Sequence, residues 1–212
     1  MAMNYRIYVD TGESGFAELP VPSGMSQGLY DISSDKAGRT EATTMMKNRL
    51  GTSPKIELTY TNRDTAVITQ AIALTSSEYF NLLYLDLLHS GEYAYGEFYR
   101  GDVSSQVYNG ALDIWSSAKF SLIKRDGKAG VPCVSHTSVN LPTSGSASTV
   151  NVSSLGTISS ATAISRSGSI TVAVDENDSS KYVIARGSAS VEGTVIIADT
   201  SGKTIIVEVT GA

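Results

Sequence analysis

The sequence predicts a mainly β protein of two domains, and three observations lead to this fold class. Apolar and polar residues alternate with the period of a strand in many short runs, and only one segment has the spacing of a helix. Fifteen of the 16 aromatic residues precede Gly127, and Tyr182 is the only one that follows it. Two segments with such different core-forming residues are not expected to share one core. We therefore expect a first domain at 1–127, a hinge at 128–134 and a second domain at 135–212.

Strand-forming runs occur along most of the first domain. Lys55–Tyr60 is the clearest, because its apolar and polar side chains alternate strictly. Ile114–Lys124 is the last, and Ala118, Phe120 and Leu122 share one face there. The remaining predicted strands are Tyr5–Val9, Gly28–Ser33, Tyr79–Leu85 and Tyr93–Arg100. The sum is an antiparallel β sandwich or barrel.

A single helix is expected at about 63–75 beside these strands. Asn62 or Asp64 can cap its N-terminus, and Ser76-Ser77 ends it. So short a helix is marginal alone and must pack an apolar stripe on the sheet. This stripe consists of Val67, Ile68, Ala71 and Ile72. We expect Ile68, Ile72 and Phe120 to be core anchors, while Trp115 is either a core or an interface anchor.

The polar segment 35–54 has poor periodicity and is locally positive on an acidic domain. Twenty structureless residues inside a compact domain are unusual unless they serve a purpose. Two interpretations remain open. The segment is a solvated loop or a short helix at Thr43–Arg49, or it is an arm that becomes ordered on a neighbouring subunit. In the second case the interface residues are Lys36, Arg39, Glu41, Met45, Met46, Lys47 and Arg49.

The second domain consists of short β-rich runs separated by turn residues at roughly ten-residue spacing. These runs are Thr149–Val152, Ser169–Val174, Lys181–Ala185, Thr194–Ala198 and Thr204–Thr210. Their alternation suits two facing sheets, so we expect a β-sandwich. Since the chain has one cysteine, Cys133, it lacks the disulfide of an antibody domain. The block resembles a bacterial immunoglobulin-like (Ig-like) module.

Charge and composition exclude several function classes. The net charge is −5, which disfavours a nucleic-acid binder because gripping phosphates needs clustered positive charge. The longest apolar run, around Tyr79–Leu88, contains Asp86 and is too short to span a membrane. No secretion signal is evident at Met1–Asp10, so we expect synthesis and folding in a cytoplasm.

The sequence offers no convincing active site, metal site or cofactor site. The two histidines are His89 and His136, and a Cys133–His136 pair supplies only two of the four ligands of a structural zinc site. Glycine-rich phosphate-binding motifs are absent. Arg100-Gly101-Asp102 spells an adhesion tripeptide, for which a tight turn between strands is the plainer explanation. We expect no enzyme activity, no catalytic residues, no cofactor and no metal.

Part of the first domain resembles short structural proteins from the tail gene modules of tailed bacteriophages. The resemblance covers about 25–126 and lies in Asp31–Ala42, Met45–Gly51, Lys55–Leu58, Phe98–Val103 and Trp115–Arg125. It implies a tail-tube-like β fold with a flanking helix. It further implies a virion structural subunit, of tail-tube or distal-tail (baseplate) type, that forms rings around a DNA conduit. Such rings are commonly six-fold, and an appended Ig-like domain projects outward from them.

The partners expected from this resemblance are further copies of the chain and neighbouring tail proteins, with passive contact to genomic DNA in the lumen and no membrane. The location would be the virion tail, after synthesis in the host cytoplasm. A different class of function also fits the sequence. The chain would then be a capsid-decorating or cell-surface adhesin whose Ig-like domain binds glycans weakly, although aromatic residues for sugar stacking are nearly absent there.

Overall fold

The computed structural model describes residues 5–12, 15–33, 38–39, 45–46, 49–87, 91–128, 130–188 and 190–211. Over these ranges the chain is mainly β, with 18 strands and one α-helix. This confirms the predicted fold class. The chain divides into two compact units. Unit 1 comprises Met1–Val9, Leu19–Gly91 and Gly96–Gly130, and unit 2 comprises Asp10–Glu18, Glu92–Tyr95 and Val131–Ala212.

The first 127 residues contribute ten strands and the helix. The strands are β1 (Tyr8–Asp10), β2 (Phe16–Glu18), β3 (Gly24–Ser33), β4 (Gly38–Arg39), β5 (Met45–Met46), β6 (Arg49–Asp64), β7 (Phe80–Asp86), β8 (Glu92–Arg100), β9 (Ser104–Asn109) and β10 (Ile114–Lys124), and the helix is α1 (Thr65–Leu74). The later strands are β11 (Val131–Pro132), β12 (Ser135–Asn140), β13 (Ala147–Asn151), β14 (Ile158–Ser167), β15 (Ile170–Asp175), β16 (Asp178–Arg186), β17 (Val191–Asp199) and β18 (Thr204–Gly211).

Unit 1 is built on an antiparallel sheet with the strand order β1-β7-β8-β10-β6-β3. Strand β9 also pairs with β10, next to the stretch of β10 that pairs with β8. Alternation along β6 buries Ile56, Leu58 and Tyr60, as the sequence predicts, and Tyr60 stacks on Phe120. Within the described residues the sheet does not close on itself, so the barrel alternative is wrong.

Helix α1 lies within the predicted range and packs against β6 and β10. Its buried residues are Ile68 and Ala71. Asp64 is the N-cap residue, as the sequence allows, but its side chain makes no capping hydrogen bond. The Thr65 amide instead donates to the carbonyl oxygen of Asp113. A carbonyl group of another loop thus accepts a hydrogen bond from one of the first amides of the helix, which have no partner within the helix.

Unit 2 contains two sheets, with the strand orders β12-β18-β17-β14 and β13-β16-β15. All pairings are antiparallel except the parallel pair β12–β18. A core of mostly Val, Ile and Leu side chains lies among these strands. It consists of Leu141, Val152, Leu155, Ile170, Tyr182, Ile184, Val191, Val195, Ile197, Ile205, Val207 and Val209.

Two short segments from the first 127 residues belong to unit 2. In the segment Asp10–Glu18, the Phe16 amide donates to Thr162 Oγ1 at 3.2 Å. A Cβ at Gly15 would lie 1.9 Å from the same oxygen, so only glycine permits this approach. In the segment Glu92–Tyr95, the Tyr95 hydroxyl donates to Asp10 Oδ2 at 2.6 Å. The Phe16 and Tyr95 rings also meet edge to face.

Strand β17 is buried on both of its faces. Val195 and Ile197 belong to the core between the sheets, whereas Ile196 alternates to the opposite face and is also fully buried. Thr162 on β14, whose hydroxyl oxygen accepts the hydrogen bond from the Phe16 amide, pairs with Ile196 on β17. The segment Asp10–Glu18 therefore lies on the face of this sheet that the sequence alone would leave to solvent.

Candidate self-association surface

Strands β3 and β6 form a long antiparallel hairpin in unit 1. From Lys55 to Asp64, β6 pairs with β10. Within the described residues, the stretch Arg49–Pro54 pairs only with β3, in a register that joins Leu29 to Pro54 and Ser33 to Arg49. The end of the hairpin therefore extends beyond the stretch that β10 pairs with.

The extended part of the hairpin carries exposed apolar side chains. Leu50 is 67% exposed and Tyr30 is 50% exposed. The other two exposed apolar residues are Leu29 and Ile32. Since side chains alternate along a strand, Leu29 and Tyr30 lie on opposite faces, so both faces of the hairpin present apolar area. Exposed apolar residues grouped in this way are typical of interaction surfaces, so this part of the hairpin is the candidate self-association surface.

Charged side chains sit next to the apolar ones on this hairpin. Lys55 Nζ lies 2.7 Å from Glu57 Oε1 and 5.2 Å from the centre of the Tyr30 ring. The hydrogen bond between Lys55 and Glu57 raises the pKa of Lys55 and lowers the pKa of Glu57. At neutral pH both groups are charged, so the hairpin presents a cation, an anion and an aromatic ring along one strand pair.

The extended part of the hairpin is held by the last residue of β10 and by the chain that follows it. The Ser53 hydroxyl donates to the carbonyl oxygen of Lys124 at 2.7 Å. Gly51 and Gly127 are in close backbone contact, since a Cβ at Gly51 would lie 3.2 Å from the Gly127 oxygen. A Cβ at Gly127 would also lie 3.1 Å from Ile32 Cδ1. These contacts fix the direction in which the hairpin leaves the sheet.

The structure corrects the first interpretation of the segment 35–54, whereas the interpretation as an arm ordered on a neighbouring subunit stays a prediction. Residues 49–54 are part of β6, and Gly38–Arg39 pairs with Met45–Met46, so neither a loop throughout nor a helix at Thr43–Arg49 is formed. The error arose because small and polar residues mask the strand period. Lys36, Glu41 and Lys47 lie outside the described residues, as do the side chains of Arg39, Met45, Met46 and Arg49. The interface role of these seven residues stays a prediction.

Two strands present open edges in unit 1. Strand β3 ends the sheet, and β9 pairs with no strand but β10 among the described residues. An open edge exposes amide and carbonyl groups that can pair with another chain. Near β9 the exposed apolar residues are Val103, Val107 and Leu112. Sequence reasoning missed β9, because the run Ser104–Asn109 is mostly polar.

The residues expected to anchor the core differ in burial. Phe120 and Ile68 are buried, whereas Ile72 is half-buried. Trp115 is also half-buried, and its indole nitrogen donates to Thr65 Oγ1 at 2.6 Å. This bond links β10 to the first turn of α1.

The chemically reactive residues noted in the sequence take up structural roles. The Cys133 thiol is buried and donates to the carbonyl oxygens of Ser135 and Thr204, and burial raises its pKa. The His136 ring meets Tyr93 edge to face. His89 lies outside the described residues. Over the described ranges, no group of three or more His, Cys, Asp or Glu side chains is arranged to hold a metal ion. In the same ranges, no helix has the length and apolar character needed to cross a bilayer.

Comparison with known proteins adds a weak structural likeness. No family model matches the chain, and no curated protein matches it. A solved structure described as the tail of an empty GTA particle, computed with helical refinement and C6 symmetry, is similar at 12% sequence identity and a TM-score of 0.41. The match covers 62% of this chain and 98% of that chain. At this TM-score the likeness carries no argument, so the proposals below depend on the residues described above.

Proposed function

We propose that the chain is a non-enzymatic structural subunit of a phage tail, of tail-tube or distal-tail (baseplate) type, which assembles with copies of itself into rings around the DNA conduit. The observation that carries the proposal is the β3–β6 hairpin with exposed apolar side chains on both faces. The resemblance of about 25–126 to phage tail structural proteins supports it. The ring is proposed to be six-fold and the location to be the virion tail.

The hairpin and the open edges of unit 1 suit a head-to-tail contact between copies. Such a contact uses two different patches on each subunit. It closes a ring of n subunits when the rotation between neighbours is one full turn divided by the whole number n. The hairpin is one patch, and the edge strand β9 with its exposed apolar residues offers the other. Burial of these side chains would supply the driving force.

The second domain, at 135–212 after a hinge at 128–134, is proposed to be Ig-like and to project outward from the ring. The strand order of unit 2 supports the Ig-like assignment. Taking β13 to β18 as strands B to G, one sheet holds B, E and D and the other holds C, F and G, as in immunoglobulin domains. Strand β12 adds to G in parallel, at the edge of the second sheet.

A glycan-binding adhesin is the competing function, and one observation disfavours its placement in the Ig-like domain. Tyr182 is the only aromatic residue after Gly127, and it is buried in the core of unit 2. Residues 128–212 therefore offer no exposed Phe, Tyr or Trp ring on which a sugar could stack.

The proposal is tested by measuring assembly of the full chain with mass photometry and negative-stain electron microscopy. We expect rings from the wild-type chain at high concentration. The double substitution Leu29→Asp and Tyr30→Asp should abolish the rings, because it places charge on both faces of the hairpin. The matched control is Val174→Asp, an exposed valine of unit 2, which should leave the rings intact.

Circular dichroism of each variant separates failed assembly from failed folding. The proposal is wrong if the wild-type chain stays monomeric at high concentration. It is also wrong if the double variant is folded and forms the same rings as the wild type.

A further inference from the structure

Unit 1 contains an open groove at the end of helix α1. Its volume is about 470 Å³, which lies in the range of small-molecule sites. The lining residues come from the end of α1, the segment that follows it, the end of β8 and the residue after β10. They are Thr75, Ser76, Ser77, Glu78, Tyr79, Tyr99, Arg100 and Arg125.

The chemistry of this lining excludes an apolar ligand. No aliphatic side chain is present among the lining residues, and the charged groups have both signs. Arg125 pairs with Glu97 at 2.8 Å, so part of the positive charge is already neutralised. A polyanion would therefore gain little here, whereas a neutral ligand rich in hydroxyl groups finds both donors and acceptors.

The groove walls are built from residues that hold one another in place. Arg100 Nη1 donates to the carbonyl oxygen of Ile72 at 2.8 Å and lies 3.2 Å from Thr75 Oγ1, so it satisfies acceptors at the end of α1. The Arg125 guanidinium lies 4.1 Å from the centre of the Tyr79 ring. These contacts also show why the Arg100-Gly101-Asp102 tripeptide is not displayed as an adhesion loop, since its arginine is committed to the helix end.

Two aromatic rings and several polar groups face solvent in the groove. Tyr79 is 42% exposed and Tyr99 is 37% exposed. Within the described residues, the hydroxyl groups of Ser77, Tyr79 and Tyr99 form no hydrogen bond with another part of the chain. One face of the Tyr79 ring already carries Arg125, which leaves Tyr99 as the better stacking surface. Exposed rings beside free donors and acceptors match the apolar face and the hydroxyl edge of a sugar ring.

We propose that this groove binds a saccharide, with Tyr99 stacking on the sugar ring and Ser77 and Glu78 hydrogen-bonded to its hydroxyl groups. A site of this size accommodates a monosaccharide or a disaccharide. The inference does not depend on ring assembly. It places glycan recognition in unit 1 rather than in the second domain, because residues 128–212 have no exposed Phe, Tyr or Trp ring.

The test is saturation-transfer NMR of the full chain with glucose, galactose, N-acetylglucosamine, rhamnose and their disaccharides. We expect at least one of these sugars to bind with a dissociation constant of about 1–10 mM. Tyr99→Ala should weaken binding about 5–10-fold, which is the range of an aromatic stacking contact, and Tyr99→Phe should retain most of it. Ser77→Ala should weaken binding less than Tyr99→Ala does.

Tyr5→Ala is the matched control, because Tyr5 is an equally exposed tyrosine that does not line the groove. Since Tyr99 and Ser77 are exposed, their variants should keep the melting temperature of the wild type, and this is checked for each. The proposal is overturned if no sugar of the panel binds at about 50 mM, well above the affinity expected. It is equally overturned if a sugar binds and Tyr99→Ala binds it as tightly as Tyr5→Ala does.

Discussion

Arg166 Nη1 on β14 lies 3.0 Å from Glu18 Oε2 on β2, so one ion pair joins residues 148 positions apart in unit 2. The same guanidinium lies 3.0 Å from Glu208 and 3.2 Å from Glu192. Burial alone would raise the pKa of Glu208, but its contacts with His136, Thr194 and Arg166 outweigh burial and hold the pKa below its usual range. Three carboxylates from three strands therefore converge on one cation.

Removal of this cation should destabilise unit 2. Arg166→Ala leaves Glu18 and Glu208, both partly buried, without their shared ion pair, and we expect a loss of roughly 2–4 kcal/mol in the free energy of unfolding. Glu192→Gln is the matched control, since Glu192 is 53% exposed and an exposed pair contributes little. Urea unfolding measures both. Equal stability of the two variants would contradict a central role for Arg166.

Phe16→Ala should destabilise the same unit, because Phe16 lies on the segment that also carries Glu18. Phe16 is buried and packs on Tyr95, so its loss should cost about 3–5 kcal/mol. Hydrogen exchange should then accelerate along β14, which the Phe16 segment contacts through Thr162. Val21→Ala, at an exposed position in unit 1, should leave exchange unchanged. Unaltered protection of β14 in Phe16→Ala would show that the segment contributes no stability to unit 2.

A methyl group at Gly193 should be poorly tolerated. A Cβ there would lie 2.3 Å from the carbonyl oxygen of Ile164 on the paired strand β14 and 2.6 Å from Ile170 Cδ1 on the facing sheet, so the β14 backbone would have to shift and Ile170 would have to repack. We expect Gly193→Ala to lower the free energy of unfolding by about 3 kcal/mol. Gly110→Ala is the control, because its Cβ would meet nothing within 4 Å. Thermal unfolding of both variants gives the comparison, and a Gly193→Ala protein as stable as Gly110→Ala would contradict the close packing.

Asp199 should make the stability of unit 2 depend on acid pH. Burial would raise the pKa of its carboxyl, but hydrogen bonds from the amides of Gly156, Ser201 and Lys203 and from the Ser201 hydroxyl lower it to about 2. Because the folded pKa lies below the unfolded value of 3.8, this contribution is complete above about pH 4 and is lost as the pH falls toward 2.

Asp199→Ala removes this contribution, so it should cost about 1–3 kcal/mol at neutral pH and less near pH 2. Urea unfolding at a series of pH values measures the difference between the wild type and the variant. A difference that stayed constant from pH 7 to about pH 2 would show that the charge of Asp199 is not what stabilises the turn.

The sequence predicts those elements whose own side chains carry a clear period. Ile114–Lys124 was found with its observed bounds, and the predicted helix range encloses α1, because in both cases apolar residues recur at the spacing of the element. Strand β14 was missed because the run Ile158–Ser167 consists mainly of Ser, Ala and Thr, which have weak patterning. Residues 49–54, at the open end of the β3–β6 hairpin, were not predicted as a strand for the same reason.

The contacts between distant segments could not be predicted from local pattern. Nothing around Glu18 indicates that its partner is Arg166, because the pairing depends on how β2 and β14 come together in space. The change in composition near Gly127 separates a segment rich in aromatic residues from one that is nearly without them. It does not show that Asp10–Glu18 and Glu92–Tyr95 belong to the later unit. The groove at the end of α1 likewise combines residues from three separate stretches of the chain, none of which indicates a site by itself.

The three-segment composition of unit 2 has a consequence for synthesis on the ribosome. Glu18 is translated 148 residues before Arg166, a delay on the order of 10 s at bacterial elongation rates. The nascent chain must hold Phe16 and its neighbours in some other environment during that interval. Folding of unit 2 therefore cannot be completed until its last strands have left the ribosome. A chaperone that binds the early segment until then would raise the yield of folded protein.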